Sequence, residues 1–224
     1  MKFDLHCHSV FSGDAFCPPE KLVKAAVQKK LDGFAITDHN TTKGFEIIAQ
    51  LAKKSHLQVV RGEEIDVKRN GKSIGEVLGL FLKKEITPKE PEKVMKEIKD
   101  QGGLVVIPHP FHPFSKFKDD LEKYLSFIDG IEVFNARHPF SKPDRLALEF
   151  AKKHNLAEVG GSDCHFFKEL GAGYTLVEDA QNLEDFKKGI LEKKSVALGK
   201  KSPFCYLIFP TLAKLKNRCF PSKD

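Results

Sequence analysis

The sequence predicts an α/β fold in a single domain. Three observations lead there. Strand-like apolar runs alternate with helix-like stretches about seven times, the pattern of parallel strands joined by crossover helices. No linker rich in Gly, Pro or Ser divides the chain, and no fixed-period repeat runs through it. Its 224 residues, 41% of them hydrophobic, suffice for one sizeable core, and single α/β barrels often run about 200–250 residues. A barrel and an open doubly wound sheet share this pattern.

The elements follow in order. Residues 2–7 read as the first strand. A helix starts near Pro19, where a missing N–H is harmless in the first turn, and carries Leu22, Ala25, Ala26 and Leu31 at helical spacing. Residues 33–37 form a second strand. Thr41 or Thr42 is expected to cap the next helix, whose apolar face holds Phe45, Ile48, Ala49 and Ala52. Residues 57–65 form a third strand. Asn70-Gly71 reads as a hairpin turn, since both residues tolerate positive φ, and leads into a strand near residues 76–82. A helix over 91–101, a strand over 104–107, a helix near 119–128 and a strand over 131–134 come next. Ser141 is expected to cap a helix bearing Leu146, Ala147, Phe150 and Ala151. Strands over 157–160 and 174–177 precede the last clear helix, capped by Asn182, with Leu183, Phe186, Ile190 and Leu191 on one face.

Charge and cysteine content narrow the function classes. The net charge is +6, and residues 200–224 carry +5 of it. A nearly neutral body with a basic end does not match a nucleic-acid binder charged along its whole length. Residues 201–224 are expected to form a basic C-terminal extension, with a short helix over 210–217 partly burying Leu212, Ala213 and Leu215. Five cysteines, an odd number without a CxxC, argue against a disulfide framework and for a reducing compartment. The opening MKFDLHCHS lacks the apolar stretch of a signal peptide. The apolar run at 204–209 is far short of the ~20 residues that span a bilayer. The expectation is a cytoplasmic protein without a membrane partner.

The chemistry-bearing residues gather at the ends of the predicted strands, where α/β barrels place active sites. Alternation puts Asp4, His6 and His8 of Asp-Leu-His-Cys-His on one face, and two imidazoles beside a carboxylate make a metal-binding edge. His39 ends the second strand in Thr-Asp-His-Asn. In Gly-Glu-Glu-Ile-Asp, Glu64 shares a face with Asp66, and Glu63 points the other way. His109 follows an apolar strand between two prolines, which fix its backbone. His112 reads equally as a site residue and as an ordinary loop histidine. Asp163 and His165 repeat the alternate-residue logic after a Gly pair that permits close approach. Six of nine histidines lie in these clusters. Buried together without cations, such groups would suffer desolvation and like-charge repulsion; divalent metals remove both problems.

The series DLHCHS, TDHN, GEEI, IPHP, GSDCH, in this order, resembles the polymerase and histidinol phosphatase (PHP) family of metal-dependent phosphoesterases. The resemblance implies a distorted (β/α)7 TIM-like barrel over residues 1–200, with two or three divalent ions (Zn, Mn or Fe) at its C-terminal face. By position, His6, His8, Glu64 and Asp163 would hold the first metal. Glu64 would bridge to a second metal also bound by His109, and Asp14, His39 and His165 would hold the third. Glu76 stands where the family often has a histidine. A carboxylate there favours a harder metal such as Mn²⁺; the alternative is a Glu76 turned to solvent.

Metals of this kind lower the pKa of a bound water and clamp the oxygens of an in-line phosphoryl displacement. The sequence shows no G-x-S-x-G elbow that would supply a protein nucleophile. The implied reaction is hydrolysis of phosphomonoesters, or of nucleotide and oligonucleotide phosphates, by a metal-bound hydroxide. Glu132, Asn135, Arg137 and His138 follow the fifth strand and are candidates to contact substrate. Arg137 reads as a phosphate fork or as a surface arginine. Two other readings compete: an amidohydrolase-like C–N hydrolase, and a nucleic-acid-associated barrel without catalysis. The partners expected are a small phosphorylated substrate or nucleic-acid ends.

Overall fold

A computed structural model describes residues 1–219. The strands are β1 (Lys2–Asp4), β2 (Gly33–Ile36), β3 (Gln58–Arg69), β4 (Lys72–Leu80), β5 (Leu104–Ile107), β6 (Gly130–Asn135), β7 (Ala157–Gly161), β8 (Gly173–Leu176) and β9 (Val196–Gly199). The helices are α1 (Pro19–Gln28), α2 (Phe45–Lys53), α3 (Pro91–Asp100), α4 (Ser141–Lys153), α5 (Leu183–Leu191) and α6 (Phe209–Cys219). One sheet runs in the order β7-β6-β5-β4-β3-β2-β1-β8-β9. Beyond the regular strands, the continuations of β1 and β7 meet: Cys7 pairs with Cys164 in parallel, His8 N–H donates to Cys164 O at 3.2 Å and Asp163 N–H to His6 O at 2.8 Å. These bonds curl the sheet into a nearly closed barrel and bring its first and last site segments side by side.

Side-chain alternation sorts the core. Ala35, Val60, Leu104, Val106, Ala157 and Val159 pack together with Phe3 and Leu5. Their neighbours of opposite parity pack elsewhere. Phe34 and Ile36 pack with Leu22 and Ala26 of α1 and with Ile48 and Ala52 of α2. Val105, Ile107, Ile131 and Val133 pack with Val94 and Ile98 of α3 and with Ala147 of α4. The first set fills the inside of the barrel and the other two seat helices on its outside. Phe186 of α5 stacks on Phe3 at 4.3 Å.

Four local expectations are corrected. No helix forms over 119–128; there is a 3-10 turn at Leu121–Tyr124. Asp119 and Asp120 accept the N–H groups of Asp120 and Glu122, and such local bonds compete with helix propagation. Neither Thr41 nor Thr42 caps α2, which starts after Gly44; the Thr41 hydroxyl and the Thr42 N–H both donate to Glu85. Ser141 is the first residue of α4 and not its cap. The sheet is mixed: besides the expected β3–β4 hairpin, β4–β5, β1–β8 and β8–β9 are antiparallel. The exposed strand β9 escaped the sequence pattern, since Val196–Gly199 has no buried face to impose alternation. The hairpin turn is where Asn70 and Gly71 place it, with φ of 52° and 75°.

The C-terminal segment folds back on the barrel. Phe209 stacks on Phe166 at 4.2 Å, and Asn217 Nδ2 donates to Gly13 O at 2.7 Å. Ala213 is buried, whereas Leu212 and Leu215 stay largely exposed. Among the described residues no helix is long and apolar enough to cross a membrane.

Candidate metal centre

The strand ends deliver their polar side chains to one place. Regular pairing of β1 stops at Asp4, so strict alternation fails there. The Asp4 carboxylate turns to backbone, accepting N–H groups of Ser162 at 2.9 Å and Gly171 at 2.8 Å, while His6 and His8 face the cluster. Two site residues hold left-handed backbone, His109 at φ 30° and Asp163 at φ 53°. Non-glycine residues adopt that region at a cost, a signature of functional sites.

Glu64 lies at the middle of the cluster. Its Oε1 is 3.4 Å from His6 Nε2 and 3.2 Å from His109 Nε2. Its Oε2 is 3.3 Å from His8 Nε2 and 3.1 Å from His39 Nδ1. Asp163 Oδ1 lies 3.4 Å from His8 Nε2 and 3.3 Å from His165 Nδ1. Asp14 Oδ2 lies 3.5 Å from His39 and its Oδ1 3.6 Å from His165. Glu76 does not turn to solvent: it reaches to 3.7 Å from His39 and 3.8 Å from His109. All eight residues of the principal series, and Glu76, therefore converge. Their donor atoms fall into compact groups, among them His8–Asp14–His39–His165, His6–Glu64–His109, His6–His8–Asp163 and His39–Glu64–Glu76.

The imidazoles and carboxylates of the cluster shift one another's titration. Burial opposes a charge on His39 and on His109, yet the carboxylates, Glu64 foremost, outweigh it and raise each to about 9. Burial likewise opposes a charge on His165, which Asp14 and Asp163 raise to about 10. Burial pushes Glu64 and Asp163 up, but the imidazoles, His6 first, hold both well below the usual carboxylate range. Asp14 Oδ1 is buried without a hydrogen-bond partner. The Cys7 and Cys164 thiols pack behind the cluster, 3.3 Å apart, which leaves imidazole and carboxylate as the donor set. Such a set fits Zn²⁺, Mn²⁺ or Fe²⁺.

Supporting contacts fix the rings. Glu132 Oε1 lies 2.9 Å from His6 Nδ1, and its Oε2 accepts the His109 N–H at 2.9 Å and Asn135 Nδ2 at 3.0 Å. Ser12 Oγ is 3.2 Å from His8 Nδ1, and Ser115 Oγ is 3.3 Å from His109 Nδ1. Sequence reasoning had Glu132 only as a substrate contact; its parity opposite Ile131 and Val133 was the available signal for an inward position. A carboxylate at His6 Nδ1 keeps the ring proton there and leaves the Nε2 lone pair facing the cluster. In Glu132→Gln the amide NH2 must face either the His6 Nδ1–H, which forces the ring proton onto Nε2, or the His109 N–H and Asn135 Nδ2, so one donor always meets a donor. We expect that variant to fold and to lose about 10–100-fold in metal affinity, read by competitive metal titration; unchanged affinity would contradict this role.

The candidate substrate residues have partners within the chain. Arg137 is neither a surface arginine nor an open phosphate fork: it is buried, and its Nη1 pairs with Glu169 at 3.2 and 3.0 Å. Glu169 also accepts the N–H groups of His165 and Phe166, so the ion pair braces the last site segment. Asn135 is buried and committed to Glu132 and to Asp163, at 3.2 Å for the latter. His112 is buried, lies 3.2 Å from Ser115 Oγ and stacks on His138 with ring centroids 3.5 Å apart. Lys214 of α6, which no motif marked, reaches Asp14 Oδ2 at 3.3 Å.

The PHP domain matches the chain over residues 4–208. The chain belongs to the PHP domain family. It is 39% identical over 160 residues to an uncharacterised protein of Methanocaldococcus jannaschii, covering 66% of this chain and 90% of that protein. A similar fold is also seen in solved structures. A two-domain protein from Bacteroides vulgatus containing a predicted PHP-like metal-dependent phosphoesterase superposes with a TM-score of 0.75 at 22% identity, covering 89% of this chain and 65% of that one. The lesion-specific endonuclease Q of Pyrococcus furiosus superposes with a TM-score of 0.61 at 16% identity, covering 85% of this chain and 56% of that one. This chain thus spans roughly two thirds or less of the length of those two structures.

Proposed function

We propose that this PHP chain is a metal-dependent phosphoesterase that hydrolyses phosphomonoesters, or the phosphates of nucleotides and oligonucleotides, with water as the nucleophile. The observation that carries the reading is Glu64, with four imidazoles around its two oxygens and two further carboxylate–imidazole groups beside it. His6, His8, Glu64 and Asp163 would hold one ion, Glu64, His109 and Glu76 a second, and Asp14, His39 and His165 a third. Divalent ions in such a site supply Lewis acidity toward a phosphoryl oxygen and a water of low pKa at neutral pH. The chain does the positioning: Glu132, Ser12 and Ser115 orient His6, His8 and His109, and Asn135 holds Asp163 by a donated hydrogen bond. Cys7, Cys17 and Cys164 are buried with their thiols packed in the core. The Arg137–Glu169 pair leaves recognition of the phosphate to the ions and to cations at the mouth such as Lys214.

A single-turnover reaction with p-nitrophenyl phosphate in ¹⁸O-water tests the route. One ¹⁸O per released phosphate and none in the protein is the expected result. Label entering a protein carboxylate, or appearing in the alcohol, would overturn it. Comparing turnover of p-nitrophenyl phosphate, mononucleotides and short oligonucleotides then ranks the substrate classes.

A further inference from the structure

We propose that His138 is an additional metal ligand in this chain, joining His109 and Asp163 around the second ion, the one His109 would hold, on the β6 side of the centre. The inference rests on the metal-centre reading above and adds a residue that lies outside every strand-end motif.

His138 follows β6 by three residues. Its backbone N–H reaches Asn135 Oδ1 at 3.3 Å, the side chain that also holds Asp163. The ring lies between two others: it stacks on His112 at 3.5 Å and meets His109 edge-on at 5.2 Å. This packing aims Nε2 at Asp163 Oδ2, 3.9 Å away. That separation is too long for a hydrogen bond, and Nε2 is buried with no hydrogen-bond partner. Buried ring nitrogens are rarely left unpaired, because the desolvation goes uncompensated. The ligand atoms of His109, His138 and Asp163 lie within 4.8 Å of one another, a spacing that suits donors around one ion and not direct contact between them. Asp163 divides its oxygens accordingly. Oδ1 faces His6, His8 and His165, and Oδ2 faces Asn135 and His138. Ser115 Oγ lies against Nδ1 of both His109 and His112, so the wall behind this position is fixed as well. Two imidazoles and a carboxylate are the donor set of a Zn²⁺ or Mn²⁺ site.

The test titrates chelator-treated protein with Co²⁺, following visible absorbance and bound metal by elemental analysis, for wild type, His138→Gln, His138→Ala and His112→Ala. His112→Ala removes the stacking partner but no proposed ligand. The expected result is that both His138 variants lose one equivalent of cobalt, or bind it at least about tenfold more weakly, with a changed absorption band, and that His112→Ala keeps the wild-type count. Unchanged stoichiometry, affinity and spectrum in both His138 variants would overturn the proposal and leave the metal centre standing, as would an equal loss in His112→Ala. A wild-type protein that binds no metal would remove the metal centre and this proposal together. Should the His138 variants fail to fold, anomalous diffraction from manganese-soaked wild-type crystals decides. A peak about 2.1 Å from His138 Nε2 supports the assignment, and peaks at the other ligands with none there overturn it.

Discussion

Glu64→Gln is expected to lower phosphoesterase turnover by more than about 100-fold, beyond the ~10–100-fold typical of losing an outer partner of a metal site, while Glu63→Gln stays within about threefold of wild type. The two residues are chain neighbours with opposite surroundings. Glu64 offers both oxygens to four imidazoles, and an amide can no longer join ions on two sides with two anionic oxygens. Glu63 is buried on the opposite face, where its Oε2 accepts the Ile86 N–H at 2.8 Å. Burial, with Glu85 and Glu97 nearby, pushes it up to about 8 against the opposing Ile86 bond. It is therefore mostly neutral at pH 7, and a glutamine is its near-isosteric replacement. Steady-state kinetics on the two metal-loaded variants checks the contrast. Equal losses would mean that the bridging role belongs elsewhere.

Chelation should cost the protein heat stability, and the cost should grow with pH. An ion present at about 1,000 times its Kd stabilises the folded state by about 4 kcal/mol, and about 1 kcal/mol moves the melting temperature of a domain this size by about 2–4 °C. A gap of about 8–16 °C between loaded and chelated protein follows. The pH dependence comes from the histidines. His39 and His109 titrate at about 9 and His165 at about 10 in the metal-free fold, all above the ~6.5 of an unfolded histidine. Their pairing with carboxylates is fully present below about pH 6.5 and is lost as pH rises through 9 to 10. Loaded protein needs those rings neutral, so rising pH favours it. Melting curves at pH 6, 7.5 and 9 should show the widening gap. A gap that narrows with pH would contradict the assignment of these histidines as ligands.

The sequence made the site more legible than the fold around it. A metal centre leaves its mark in residue type and short spacing, and His6–His8 or Asp163–His165 keep that mark whatever the rest of the chain does. Alternation separated Glu63 from Glu64 correctly because β3 is long and buried on both faces. The same rule misplaced Asp4, since β1 ends there and the next residues turn toward β7. Strand direction was readable only at the β3–β4 hairpin, where Asn70-Gly71 marks the turn; the antiparallel pairs β4–β5, β1–β8 and β8–β9 depend on contacts more distant in sequence. The intrachain partners of Arg137 and Asn135 were hidden for a related reason. Residue type shows what a side chain is able to bind, and only the packed fold shows that Glu169 and Glu132 already occupy them. His138 was legible only as a substrate candidate after the fifth strand and Lys214 not at all, because tertiary contacts set their distances to Asp163 and Asp14.

Elemental analysis coupled to activity decides whether this cluster is a catalytic metal centre. The protein as purified should carry about two or three divalent ions per chain. Exhaustive chelation should remove them together with p-nitrophenyl phosphate hydrolysis, and Mn²⁺ or Zn²⁺ should restore both in parallel. A protein stripped of metal that keeps its full activity would contradict the assignment.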